Sequence, residues 1–243
     1  MRLRSITKHL KEQNWTAVGI DLVIVVVGVF IGIQVSNWNT EREEENRIAG
    51  QLVRFKSELV QRQAAIDKQR NYLKTRIEDA SSLRNRLLAS DETLTDQEIY
   101  RLAMSAVRFN GLDVSFRGFE ELSVAGAISR IQSPALLDAL YRWDATLSNL
   151  RSTENDVLEL RNLQDLPAIR ATLSLGNMAQ ADVRYSDMPV AERFTIDRER
   201  LQSNRDFDNA LISRAVLEQQ NLEALLSFEK ATHDLIAAID AHR

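Results

Sequence analysis

Ala17-Val18-Gly19-Ile20-Asp21-Leu22-Val23-Ile24-Val25-Val26-Val27-Gly28-Val29-Phe30-Ile31-Gly32-Ile33-Gln34-Val35 lies between Trp15 and Trp38 and carries one charged residue, Asp21. At about 1.5 Å per residue, a helix of this length reaches roughly the 30 Å of a bilayer's hydrocarbon core. Tryptophan rings favour the headgroup region, so Trp15 and Trp38 are read as interface anchors. The stretch predicts one membrane-spanning helix, with 1–16 as a stub before it, 17–37 as the span and 38–243 as a helical domain beyond it.

Arg2, Arg4, Lys8 and Lys11 precede the span against Glu12 alone, whereas Glu41, Glu43, Glu44 and Glu45 follow it against Arg42 and Arg47. Lys and Arg accumulate on the cytoplasmic side of a span. The expected topology therefore puts the N-terminus in the cytoplasm of a bacterial inner membrane and the large domain in the periplasm. A cleaved secretory signal is the rival reading of the same basic start. Against it, the apolar run is long and Gln34-Val35-Ser36-Asn37 has no A-x-A-like cleavage site.

Gly28-x-x-x-Gly32 forms a small-residue face that admits a second helix at close range or leaves a lipid-facing groove. Asp21 is costly in hydrocarbon, so it sits either at the interface beside Lys8 or Lys11 or against a polar group of a neighbouring helix. Asp21, Gly28 and Val35 recur every seven residues, with Gln34 near the far end. Asp21, Gly28, Gly32 and Gln34 are accordingly the candidate membrane-helix contacts.

The acidic residue, the Val/Ile-rich run with Gly28, and Ile33-Gln34-Val35-Ser36-Asn37-Trp38-Asn39 resemble the N-terminal signature of a bacterial family of uncharacterised single-pass inner-membrane proteins. Its membrane helix ends in a Q-x-x-N-W-N-like motif. Ser115 to Ile131, followed by Leu136-Leu137-Asp138-Ala139-Leu140-Tyr141, is similar to a second segment of that family. Ala125 stands where the family has a small polar residue. The resemblance implies architecture and location, and it brings no activity.

The remainder reads as all-α. Of 243 residues, 27% are charged and 6% aromatic, with eight Gly and three Pro, which favours helices over turn-rich β structure. Thr40-x-x-Glu43 has the form of a capping box, so the helix either restarts there or runs through. Ile48, Leu52, Phe55, Leu59, Ile66, Leu73, Ile77 and Leu87 mark a narrow coiled-coil-like seam, interrupted by Arg62 and Gln69. Such a stripe needs partner helices from this chain or another copy.

Thr95-x-x-Glu98 predicts a helix to about Phe109, and a short helix carrying Phe116, Phe119 and Leu122 ends near Gly126. Ser133-Pro134 predicts the start of a helix running to about Leu163, before Pro167. Residues 175–190 show no period and are expected to be a loop. A short helix follows around 191–201, and Asn204 is expected to cap a last helix over 205–241. Phe116, Phe119, Gly126, Tyr141 and Trp143 are expected to pack the junction of short and long helices. The sum is one transmembrane helix followed by an elongated helical bundle.

The chemistry of known enzyme motifs is missing: no G-x-S-x-G, H-E-x-x-H, Walker loop or dinucleotide glycine fingerprint occurs. No cysteine is present, and His233 and His242 are nine residues apart, too far for one metal ion. Acid pairs such as Glu120-Glu121 read as solvated helix surface. The net charge of −4 without a basic block offers nothing to nucleic acid. No catalytic residue, metal, cofactor or small-molecule substrate is expected. The expected role is that of a structural, assembly or accessory subunit, whose partners are the lipid bilayer and a second copy or a larger inner-membrane complex. The alternative is a periplasmic sensory or ligand-binding module relaying to a membrane partner.

Overall fold

The computed structural model describes residues 15–182, 187 and 195–242, and for 15–18 the backbone alone. Among the described residues the chain is helical, with no strand. The helices are α1 (Trp15–Leu88), α2 (Asp96–Val107), α3 (Arg117–Val124), α4 (Pro134–Leu160), α5 (Leu166–Arg170), α6 (Leu175–Gln180), α7 (Arg198–Ser203) and α8 (Arg205–Ala241). A 3-10 turn covers Ile128–Arg130, and a π turn, Arg161–Asp165, joins α4 to α5. Contacts divide the chain into two units, Met1–Gln51 and Leu52–Arg243.

In the first unit the helix does not restart at Thr40. The Thr40 hydroxyl donates to the Ser36 carbonyl at 3.0 Å, a back-bond within a continuing helix rather than a cap. Among the described residues α1 is the helix long and apolar enough to cross a membrane. From Gly19 to Glu43 every side chain is exposed.

The second unit is a bundle of the C-terminal part of α1 with α4 and α8, closed by the short helices. α8 runs antiparallel to α1: Lys56 Nζ donates to Asp240 at 2.5 Å, Arg70 Nη1 to Glu229 at 2.5 Å, and Arg84 Nε pairs with Asp208 at 2.7 Å. α4 also runs antiparallel to α8, since Trp143 meets Thr232 while Asp165, past its end, meets Arg214.

Buried positions on α1 follow steps of four and three: Leu52, Phe55, Leu59, Ile66, Gln69, Leu73, Arg76, Ala80, Leu83, Leu87. The seam therefore passes through Arg76, and the expected Ile77 is only half-buried. Away from α3, a core of Leu83, Leu87, Ile99, Ile169, Met178 and Phe207 joins α1 to α2, α5, α6 and α8.

Local chemistry accounts for most boundaries. Thr95 forms the complete capping box with Glu98, Ser133 accepts from Leu136 N–H with Pro134 behind it, and Asn204 accepts from Phe207 N–H. Three boundaries differ from expectation. The short helix expected around 191–201 is α7, which starts only at Arg198 because Asp197 caps it by accepting from Arg200 N–H; residues 195–197 are not helical, and 191–194 lie outside the described residues. Pro167 does not end the long helix: Arg161–Asp165 widens into a π turn, and the chain continues into α5 with Pro167 in its first turn, where a missing N–H costs least. Residues 175–180 form a helix rather than a loop, because Ser174 accepts from Asn177 N–H and Asn177 and Met178 are buried. Tyr185 and Pro189, in the rest of that predicted loop, lie outside the described residues.

Candidate functional site

Asp21, Gly28, Gly32 and Gln34 are all exposed on α1, and a Cβ added at Gly28 or Gly32 would meet nothing within 4 Å. The two glycines lie one turn apart, leaving a shallow open face. Trp38 is 60% exposed, with the Arg42 guanidinium 5.7 Å from its ring centroid. Trp15 heads α1, but its side chain, like Lys8, Lys11 and His9, lies outside the described residues. His233 and His242 are exposed on α8 and just past its end.

Of the expected junction residues, Phe116 and Trp143 are buried and Phe119 is half-buried. Trp143 forms the centre, its ring 4.9 to 5.7 Å from those of Phe116, Phe119, Phe55 and Phe228. Its indole N–H donates to Thr232 at 3.1 Å, and the Thr232 hydroxyl donates to the Phe228 carbonyl at 2.8 Å. Two expected members do not belong. Tyr141 is 62% exposed, because the buried stripe of α4 runs through Leu136, Leu140, Trp143 and Leu147. Gly126 is exposed too, and it serves the turn after α3 with φ +64°. The glycine that permits packing is Gly118, where a Cβ would fall 2.9 Å from Cα and Cβ of Phe55. Glu58 fixes this approach by accepting from the N–H groups of Arg117 and Gly118 at 3.1 and 2.9 Å.

A buried charged cluster sits where α2 ends against α1, α4 and α8. The last carbonyls of a helix lack intrahelical donors and carry partial negative charge. Here they receive arginines: Arg214 Nε donates to the Ala106 carbonyl at 2.9 Å, Arg76 Nη2 to the same oxygen at 3.5 Å, and Arg161 Nε to the Val107 carbonyl. Glu218 pairs with Arg76 at 3.2 Å and also with Arg214, while Asp165 faces Arg214 at 3.7 Å. The π turn supplies both Arg161 and Asp165.

Burial shifts three members of the cluster, Arg76, Arg161 and Asp165. It lowers the Arg76 guanidinium to about 10 and also lowers Arg161. It raises the Asp165 carboxyl, with Ser213 and Arg214 opposing, and raises Glu154, whose carboxylate accepts from Leu112 N–H at 2.7 Å.

Arg76 also borders a cleft of about 480 Å³ lined by Tyr72, Asp79, Arg101, Met104, Ser105 and Arg108, with Ala181 and Asp182 at its edge. None of the cluster was singled out from sequence. The available signal was the seven-residue recurrence of polar residues on one seam row, Arg62, Gln69 and Arg76, together with Arg214-x-x-x-Glu218. Comparison with protein-family models, with curated proteins and with solved structures finds no match for this chain.

Proposed function

We propose that this protein is a membrane-anchored structural, assembly or accessory subunit that acts through helix–helix contact in and above the bilayer. The observation that carries the reading is the exposure of the whole apolar face of α1: Ile20, Leu22, Val23, Ile24, Val29, Phe30 and Ile31 are each more than half exposed. Water does not tolerate an apolar rod of that extent, and a bilayer does. The charge asymmetry supports a cytoplasmic N-terminus and a periplasmic bundle, as in the family that the anchor motif resembles. Open space over Gly28 and Gly32 supports approach of a second helix, from another copy or from a larger inner-membrane complex.

The bundle acts as scaffold and not as enzyme in this reading, because its polar side chains mostly serve caps, ion pairs and the end of α2. A second reading, a ligand-binding module relaying to a membrane partner, draws on the cleft beside Arg76.

Carbonate washing of vesicles and protease digestion from either side test the anchor and its orientation. The protein is expected to stay in the pellet and its bundle to be cut only from the periplasmic face. Release into the supernatant, or digestion from the cytoplasmic face, rejects the reading. Gly28→Ile with Gly32→Ile is expected to abolish cross-linked or co-purified complexes; their persistence rejects the glycine face as the contact.

A further inference from the structure

Steps of seven residues along α1 join Val25, Gly32, Asn39, Asn46, Val53 and Val60. At about 3.6 residues per turn such steps stay near one side of a helix, and two helices that coil around each other keep to it strictly. All six positions are exposed, Val53 at 41% and Val60 at 54%, although Phe55 and Leu59 on the other side of α1 are fully buried in the bundle. Gly28, Val35 and Ala49 flank the row, and a Cβ added at Gly28 or Gly32 meets nothing within 4 Å. α1 thus carries two rows, one that the bundle covers and one that it leaves open.

The open row is complementary to itself. An amide has both donors and an acceptor, so Asn39 and Asn46 each suit the same residue of a second copy. An asparagine in an otherwise apolar seven-residue row also fixes the register of parallel strands. The charges beside the row match in the same way. Arg42 stands on one flank of Asn39 and Glu43 on the other, so a two-fold axis along paired helices sets Arg42 of each copy against Glu43 of the other. Within the described residues neither has an ion pair: Arg42 lies over the Trp38 ring, and Arg47 goes to Glu44 instead. Copies anchored by the same charge asymmetry insert in the same direction, which makes their α1 helices parallel.

We propose that α1 pairs with α1 of a second copy, in parallel and in register, along Val25, Gly32, Asn39 and Asn46. The inference rests on the anchored-subunit reading and names its partner. The chain has no cysteine, so single cysteines report on pairing of the full chain in native membrane vesicles under a copper oxidant. Asn39→Cys and Asn46→Cys are expected to form disulfide-linked dimers roughly tenfold faster than Glu41→Cys, which lies at a similar height on the opposite side of the helix. Arg42→Glu in the Asn46→Cys chain should slow the linkage about threefold, the scale of exposed ion pairs, and adding Glu43→Arg should restore it. All these positions are exposed, so none of the changes touches the core. Equal linkage at 39, 41 and 46 is random collision and overturns the proposal, as does no linkage at any of them, or a charge swap that fails to restore it. Each variant is also washed in carbonate. A chain that stays in the pellet without linking to itself rejects this inference and leaves the anchored-subunit reading standing; a chain that washes out rejects both.

Discussion

Arg76 and Arg214 donate to one and the same carbonyl oxygen, that of Ala106, and share one carboxylate, Glu218. Two like charges in a dry interior tolerate each other through the anion between them, with Asp165 adding a second carboxylate 3.7 Å from Arg214. Glu218→Gln is therefore expected to destabilise the bundle by about 3–5 kcal/mol, the cost of leaving buried charge uncompensated. Arg76→Leu keeps the Arg214–Glu218 pair and should change stability by less than about 1.5 kcal/mol. Urea unfolding followed by circular dichroism compares the two.

Gly118→Ala drives a methyl group against the backbone of Phe55, which cannot swing aside. A loss of about 1–3 kcal/mol is expected, read as a lower thermal midpoint. Gly126→Ala meets open space but keeps φ +64°, so its cost is the left-handed strain alone, about 1 kcal/mol. If Gly118→Ala melts with the wild type, the close approach of α3 to α1 is wrong.

Thr232→Val leaves the indole N–H of Trp143 buried without an acceptor, at about 1–3 kcal/mol. Thr232→Ser keeps the hydroxyl and should recover most of that loss. Tryptophan fluorescence during denaturant unfolding separates the two variants.

Acid should weaken the turn after α1 before the charged cluster. The Asp91 carboxylate, held by Thr93 and Arg86, is lowered to about 2, and Glu98 is lowered as well. A depressed carboxyl stabilises above the ordinary Asp value near ~3.9, and that stability is lost as pH falls through about 2. Asp165 and Glu154 are raised, so the sign reverses: they favour folding when protonated and disfavour it as pH climbs through their folded values. Asp91→Asn is expected to flatten the acid limb of the stability curve; an unchanged limb would show that the turn contributes nothing to it.

Caps were legible because their chemistry is local. Thr95, Ser133 and Asn204 each announce a helix by one side chain and one N–H three residues on, and all three start helices as read. The seam was legible at Ile48, Leu52, Phe55, Leu59, Ile66, Leu73 and Leu87. It drifted to Ile77 because an isoleucine looks more like core than the arginine beside it, although strict steps of four and three lead to Arg76. Pro167 misled because its penalty was counted and the relief of a widened turn was not. Tyr141 illustrates the same limit from the other side: an aromatic on an amphipathic helix went to the core on residue type, while Leu140 and Trp143 held that face. The charged cluster was the least legible part. Its side chains come from α1, the π turn and α8, and what unites them is the end of α2, a property of backbone carbonyls that side-chain patterns do not encode.

Lys56 meets Asp240 across 184 positions of sequence, and Arg70 meets Glu229 across 159. Closure over such spans is slow, because a long loop must be ordered before any of these contacts forms. During synthesis the apolar row from Leu52 to Leu87 emerges long before α8, its antiparallel cover, exists. For that interval the nascent chain carries a sticky, half-dressed rod, and a chaperone or a sister molecule has first access to it.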